Sequence, residues 1–305
     1  MTLKTRLTEL LGRAAGEWLA CAVGAAGGLG DIGAGHMPTA LLREQIHLAK
    51  ELTDKPFGVN LMLLTPHIDE IVEMVLEEKV HAVTTGAGNP GKYMSALQDR
   101  GIKVLPIAPS VALAADSAAE FSGNHAIIGE GMEAGGHIGD LTTMVLIPQL
   151  VDAVDIPVVA AGGIADGRGV AAAFALGAQG VQIGTRFMCA EECTIHDDVK
   201  ARILKAKDRD TVVTGRSTGH PVRVLKNKLS KQIIALDLEN RPEEIEALGA
   251  GKLATCMREG DVDGGSLMAG QCASMIESIM PAKDIITSIL SEAESIMRAM
   301  PGRIG

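Results

Sequence analysis

The chain has 305 residues, of which 47% are hydrophobic and 22% charged, a balance typical of a globular protein and not of a disordered one. Its net charge of −10 argues against nucleic acid as the main partner. No apolar run reaches the ~18 residues of a membrane span, and the N-terminus lacks the apolar core of a signal peptide, so we expect a cytoplasmic protein without a membrane anchor.

Short runs rich in Val, Ile and Gly alternate with amphipathic stretches from about residue 29 to residue 186. Apolar strands that alternate with helices are typical of a parallel sheet whose outer face is covered by those helices. The pattern predicts seven strands, which are LGDIG (29–33), FGVNLM (57–62), HAVTTG (81–86), KVLPI (103–107), HAIIG (125–129), PVVAA (157–161) and GVQIG (180–184).

The positions of the glycines indicate which α/β fold these strands form. Glycines follow the C-terminal ends of successive strands, in GVN, TTGAGNPGK, GEGMEAGGHIG, AAGGIADGRG and IGTRF. Because a barrel assembles its functional loops on that face, we predict an α/β protein with a TIM-type (β/α)8 barrel. The remaining strand should precede residue 29, and LLGRAAGEWLACAVGAAGG contains no convincing one. We therefore expect a barrel that lacks its usual first strand.

The pattern of strand and helix changes after Arg186. We predict a barrel domain formed by residues 1–194 plus 260–305, with a small lid domain inserted at residues 195–259. Residues 200–231 carry ten Lys or Arg against two acids, so this segment is +8 and the remainder of the chain −18. The segment is either a solvated helical face or a landing site for an anionic ligand or an acidic partner protein.

Two consecutive glycine-containing loops predict a phosphate site. Gly162 and Gly163 follow the sixth predicted strand, and Gly184 with Thr185 follows the seventh. In a complete barrel these loops would follow the last two strands, where barrel proteins commonly bind phosphate through backbone N–H groups and a short helix N-terminus. The alternative is that the glycines serve only the tight turns of the barrel.

One histidine differs from the other seven in its surroundings. His137 lies in the glycine-rich loop GEGMEAGGHIG, which we expect at the mouth of the barrel. A histidine with a near-neutral pKa suits proton donation or polarisation of a carbonyl group. No second His or Cys stands at ligand spacing, so no metal site is predicted, and the five cysteines are interpreted as buried thiols.

Five longer segments carry a family resemblance, namely DKPFGVNLML, VTTGAGNPGKYM, EGMEAGGHIGDLTTM, PVVAAGGIADGRGVAAAFALGAQGVQIGTRF and GDVDGGSLMAGQ. Together they resemble the FMN-dependent enoyl-acyl-carrier-protein reductases of bacterial fatty-acid synthesis, which are related to the nitronate monooxygenases. The resemblance implies FMN at the barrel mouth, NAD(P)H as hydride donor and an enoyl thioester on acyl carrier protein as substrate. It also implies a homodimer and dependence on a monovalent cation.

The resemblance assigns roles to individual positions. It places Asn60 and Glu130 against the flavin and His137 near the substrate carbonyl as the catalytic residue. The flavin phosphate would be held by Gly162, Gly163, Gly184 and Thr185. The flavin ring system would be covered by Ser266, Met268 and Gln271. The basic lid would recognise its ligands through Arg216, His220, Arg223 and Lys226.

The sequence also departs from this family. The family's first strand, with a glycine–methionine loop against the flavin, has no counterpart before residue 29. Three interpretations therefore stay open. The protein is a working flavin-dependent enoyl reductase, a flavoprotein that oxidises nitronates, or a relative with a damaged flavin site and no activity.

Overall fold

The computed structural model describes residues 10–13, 17–34, 37–119 and 126–303. Within these ranges eight parallel strands close into a barrel, each hydrogen-bonded to the strands before and after it. The strands are β1 (Leu10–Arg13), β2 (Leu29–Gly33), β3 (Phe57–Met62), β4 (Ala82–Gly86), β5 (Lys103–Ala108) and β6 (Ile127–Glu130), and then, after the short β7 (Gly136–His137) outside the barrel, β8 (Val158–Ala161) and β9 (Gly180–Ile183).

Amphipathic helices cover the outside of the barrel. In the second of them the buried residues Leu42, Ile46 and Ala49 recur at helical spacing, so one stripe of the helix faces the strands. The covering helices are α1 (Glu17–Ala25), α2 (Thr39–Leu52), α3 (Ile68–Glu78), α4 (Gly91–Asp99), α5 (Val111–Ala119), α6 (Thr143–Ala153) and α7 (Gly167–Ala175).

Strand residues alternate between the helices and the barrel interior. A Cβ atom on Gly129 would lie 2.5 Å from the side chain of Leu150 in α6, so Gly129 faces the helices. Its neighbour Ile128 therefore faces inward, where it packs in an apolar cluster with Ile107 and Val159. By the same alternation Glu130 points into the barrel at the carboxyl end of β6.

The seven predicted strands and the barrel are confirmed, but the expectation of a missing first strand is wrong. Residues Leu10–Arg13 form β1, in which Leu11 is in register with Leu29 of β2 on one side and with Gln182 of β9 on the other. The described part of this strand is the four residues LLGR, which have no alternating pattern. Its extended conformation depends on the two neighbouring strands that hydrogen-bond to it, which are distant in sequence.

The segment between β9 and α13, called the cap below, lies beside the barrel mouth. Among the described residues it contributes no strand to the barrel. In it β10 (Thr211–Thr214) and β11 (Val222–Leu225) form a hairpin, and β11 pairs antiparallel with β7, so that Val222 is in register with His137. The helices of this segment are α8 (Thr185–Met188), α9 (Asp197–Leu204), α10 (Lys228–Leu238), α11 (Pro242–Gly249) and α12 (Lys252–Glu259).

The chain returns to the barrel through α13 (Ala282–Ala299), which packs against α7. Its buried residues Ile285, Ile286, Ile289 and Ala293 belong to the large apolar cluster on the helical side of the barrel. Across the described ranges, no helix combines the length and the hydropathy needed to cross a membrane.

Candidate active site

A cavity of about 480 Å³ lies between the carboxyl end of the barrel and the cap. Its size is in the range of cofactor and small-molecule sites. Most of the lining is glycine and apolar side chains. The polar and titratable side chains in the lining are Asn60, Glu130, His137, Gln182, Thr185, His220, Arg258 and Cys272.

The loop after β8 has a backbone conformation that only glycine adopts easily. Gly162 has φ +95°, and a Cβ atom there would lie 2.7 Å from the carbonyl oxygen of Gly131. The Thr143 hydroxyl donates a hydrogen bond to the Gly162 carbonyl oxygen at 2.9 Å, and Glu133 accepts from the Thr143 N–H at 2.9 Å. The loop is therefore held from behind by α6, and its glycines border the cavity.

The loop after β9 lies beside it and begins the short helix α8. Gly184 and Thr185 both line the cavity. The Thr185 hydroxyl accepts a hydrogen bond from the Gly270 N–H at 2.9 Å, which ties this loop to the segment before α13. Burial raises the pKa of the nearby Cys272 thiol to about 11, so this thiol is neutral at pH 7.

The loop with His137 is glycine-rich because neighbouring backbones approach it closely. A Cβ atom on Gly135 would lie 2.6 Å from the backbone of Ala269. The pairing of β7 with β11 then fixes His137 at the edge of the cavity, half-buried. Its ring meets that of His220 edge-on, with 6.5 Å between ring centroids. Two imidazoles, one from the loop after β6 and one from the cap, therefore border the same cavity.

The residues assigned to the flavin ring system divide into two groups. Asn60, Glu130 and Met268 line the cavity. Ser266 and Gln271 are absent from its lining within the described ranges, and their backbone N–H groups donate at 2.9 Å to Lys252 O and Glu133 O respectively. These two residues hold the loop that carries Met268.

The four basic positions assigned to ligand recognition also differ in location. Of these only His220 lines the cavity. Arg223 is 4% exposed, its Nε donates to the Met132 carbonyl oxygen at 2.9 Å, and burial lowers the pKa of its guanidinium. Arg216 and Lys226 are exposed, and the Lys226 ammonium donates to the Arg209 carbonyl oxygen. Arg223 thus fastens the cap to the barrel.

Three of the polar cavity residues, Gln182, Arg258 and Cys272, were not predicted. Gln182 is 4% exposed, and among the described residues its Oε1 has no hydrogen-bond partner. A polar residue in the middle of the apolar strand GVQIG is the signal that could have identified it. Arg258, in the last turn of α12, is the one Lys or Arg in the lining that the described residues provide. No sequence signal distinguishes it from other surface arginines.

Several known proteins are similar to this chain in fold and in sequence. A family model described as nitronate monooxygenase matches residues 9–72 and 66–292. A probable nitronate monooxygenase of Staphylococcus saprophyticus is 32% identical, over 97% of this chain and 99% of that protein. An octahydro-indene-carboxyl-CoA dehydrogenase of Mycobacterium tuberculosis is 33% identical, over 96% of this chain and 97% of that one. The chain belongs to the nitronate monooxygenase family, a family of FMN-dependent oxidoreductases.

Solved structures relate the chain to one branch of that family in particular. FabK from Thermotoga maritima, an enoyl-acyl-carrier-protein reductase, is 46% identical with a TM-score of 0.94, over 97% of this chain and 96% of that one. Nitroalkane oxidase from Streptomyces ansochromogenes is 27% identical with a TM-score of 0.84, over 96% of this chain and 97% of that one. The chain thus resembles the FMN-dependent enoyl reductases along nearly its whole length.

Proposed function

We propose that this protein is an FMN-dependent enoyl-acyl-carrier-protein reductase that oxidises NAD(P)H and saturates trans-2-enoyl thioesters in fatty-acid elongation. The observation that carries the proposal is the 46% identity to FabK over 97% of the chain, together with a histidine on a glycine-rich loop at the cavity. Residues Leu10–Arg13 close the barrel as β1, whereas the family's glycine–methionine loop has no counterpart in the sequence. In this proposal residues 195–259 of the cap form the lid domain that binds the substrate and NAD(P)H.

The residues present fit FMN. Two glycine-lined loops, after β8 and β9, border the cavity where a phosphate would be bound by backbone N–H groups. Gln182 offers an orphan acceptor, and buried polar atoms without a partner are rare unless a ligand supplies one. The oxidised flavin ring carries one N–H group that could donate to such an acceptor. Asn60, Glu130 and Met268 would contact the same ring system.

Bound FMN supplies hydride transfer between the nicotinamide and the enoyl double bond. The overall reaction adds a hydride to the β-carbon and a proton to the α-carbon. His137 would polarise the thioester carbonyl or hold that proton, and His220 lies beside it at the edge of the cavity. The apolar residues Leu253, Ala254 and Met257 of α12 would exclude water from the acyl chain.

The exposed cap cations, Arg216 and Lys226 among them, are proposed to attract acyl carrier protein and the anionic co-substrate. Arg258 at the cavity wall would meet a phosphate of either ligand. A homodimer and a monovalent cation remain predictions from the family resemblance. Oxygen-dependent oxidation of a nitronate is the second candidate function, favoured by the family model and by the similarity to nitroalkane oxidase.

The proposal is tested by the visible absorption spectrum of the purified protein with and without added FMN, followed by turnover. We expect a bound, protein-shifted flavin spectrum and NAD(P)H oxidation that depends on an enoyl thioester. His137→Ala should keep the flavin and reduce enoyl turnover by about 10²- to 10⁴-fold, the usual contribution of a general acid. His67→Ala, an exposed histidine outside the cavity lining, is the matched control and should leave turnover unchanged.

Three results would overturn parts of this proposal. A protein that binds no FMN when FMN is in excess is not a flavin enzyme. Oxygen-dependent turnover of a nitronate without enoyl reduction would assign the second function. Loss of bound FMN in His137→Ala would make His137 a structural residue of the site.

A further inference from the structure

A carboxylic acid lies inside the barrel beneath the cavity. Asp31, in the middle of β2, is 1% exposed. Its neighbour Ile32 packs in the apolar cluster formed with the outer helices, so Asp31 faces the interior. A Cβ atom on Gly58 of β3 would lie 2.7 Å from Asp31 Oδ1, so the glycine leaves the space that the carboxylate fills.

Two hydrogen bonds connect this acid to the cavity wall. The Thr84 hydroxyl donates to Asp31 Oδ2 at 2.6 Å, and Asn60 Nδ2 donates to Thr84 Oγ1 at 2.8 Å. All three residues are at most 2% exposed, and Asn60 lines the cavity.

The directions of these bonds follow from the donors available. A threonine hydroxyl has one proton, and Thr84 donates it to Asp31 Oδ2. Thr84 Oγ1 then presents only lone pairs to Asn60, and the carbonyl oxygen of Thr84 is a second acceptor, 3.4 Å from Asn60 Nδ2. Asn60 must therefore turn its NH2 group toward Thr84 and its Oδ1 away from it.

We propose that Asp31 is a positioning residue that acts through Thr84 to fix the orientation of the Asn60 amide at the flavin site. Without Asp31 the Thr84 hydroxyl can also donate to Asn60 Oδ1, while the Thr84 carbonyl oxygen, 3.4 Å from Nδ2, still favours the NH2 group on that side. The preference for this amide orientation is then weaker, and the orientation that presents the other edge of the amide to the ring gains population. The inference rests on the proposed flavin function. It adds Asp31 and Thr84 as residues that influence FMN binding through Asn60 and not by direct contact with the ring.

The test is the dissociation constant and the absorption band shape of FMN in the wild type, Asp31→Val, Thr84→Val and the double variant. Each single variant should weaken FMN binding by about tenfold, the equivalent of one hydrogen bond, and should alter the band shape in the same way. The double variant should bind FMN no more weakly than Thr84→Val alone, because both residues act through one relay.

The chain offers a matched control in Thr85. It is 1% exposed like Thr84, but its hydroxyl has no partner among the described residues and it does not line the cavity. Thr85→Val should therefore bind FMN as the wild type does. If Asp31→Val does not fold, the FMN affinity of Thr84→Val tests the inference alone. This variant removes the hydroxyl that links Asp31 to Asn60 and leaves Asp31 unchanged.

Three outcomes overturn the inference while leaving the flavin function intact. They are unchanged FMN binding in Asp31→Val, unchanged binding in Thr84→Val, and effects of the two substitutions that multiply in the double variant. If the wild type itself binds no FMN, the proposed function fails first and the inference fails with it.

Discussion

At the scale of single residues, two glycines with nearly the same positive φ differ in how closely other atoms approach them. Gly162 at the cavity has φ +95°, and Gly27 after α1 has φ +93°. A Cβ atom on Gly162 would meet the Gly131 carbonyl oxygen at 2.7 Å, whereas one on Gly27 would have no atom within 4 Å. Both glycines thus have a positive φ, and of the two only Gly162 has an atom where a Cβ would lie.

We therefore expect different results from the same substitution. Gly27→Ala should lower the free energy of unfolding by about 1 kcal/mol, the cost of a Cβ atom in the left-handed region. Gly162→Ala should lower it by a further ~1–3 kcal/mol through overpacking, and it should also weaken FMN binding. Urea unfolding and FMN titration of both variants measure these effects. Equal losses in the two variants, with FMN binding intact, would contradict the close approach at Gly162.

At the scale of elements, one helix of the cap holds the turn that reaches the cavity. Asp237 of α10 accepts hydrogen bonds from the N–H groups of Gly215 at 2.6 Å and Ser217 at 3.0 Å, and from the Ser217 hydroxyl at 2.8 Å. Burial alone would raise the pKa of this carboxyl, but the donors outweigh it and hold the pKa below its usual value of 3.8. The turn leads directly to Gly219 and His220 in the cavity lining.

Asp237→Ala should loosen this turn and raise KM for the enoyl thioester several-fold more than it lowers kcat, because chemistry at His137 is untouched. Since the pKa is lowered in the folded state, the stabilisation is present above about pH 4 and is lost as the pH falls through the folded-state pKa. KM should thus not respond to this group between pH 5 and pH 8. Steady-state kinetics with hydrogen exchange at residues 215–221 provide the measurement.

Glu239→Ala is the control for that helix. Glu239 is exposed, follows the last residue of α10 and pairs with Arg241 at 2.7 Å. An equal rise in KM in both variants would show that the two acidic residues act through the general charge of the cap and not through the turn.

At the scale of the whole molecule, opposite charges are separated between the barrel and the cap. Residues 200–231 are +8 in a chain of net charge −10. Two of these cations are internal, because Lys200 donates to the Ala190 carbonyl oxygen at 3.0 Å and Arg223 is buried. The remaining cations give the cap a basic surface on an otherwise acidic protein. Such a surface attracts anionic partners at low ionic strength.

KM for an enoyl thioester on acyl carrier protein should therefore rise as the salt concentration increases from about 50 to about 500 mM. Over this interval the distance at which exposed charges attract each other falls roughly threefold. A small neutral thioester should show no such dependence. Arg216→Glu, next to the cavity-lining turn, should raise KM for the carrier-bound substrate. Lys103→Glu makes the same charge change at the exposed start of β5, the other end of the barrel, and should not. Equal effects of the two reversals would exclude a docking role for the cap.

The sequence predicted much of this arrangement for local reasons. Seven strands were recognisable because buried parallel strands are apolar and end in glycine, and His137 was recognisable by the glycines around it. The sequence did not predict β1, since four residues such as LLGR carry too little pattern to identify a strand. Nor did it predict that Arg223 would be buried, because a basic residue in a basic segment looks like its exposed neighbours.

The sequence by itself determined the fold class, the face of the barrel that carries the site and the loops that border the cavity, since each depends on residue patterns within a few positions. Only the tertiary structure decided which strand closes the barrel, because β1 exists through its pairing with β2 and β9. It also decided that His220 meets His137 and that Asp31 reaches Asn60 through Thr84. These contacts join residues distant in sequence, and the packing of strands and cap brings them within hydrogen-bond or ring-contact distance.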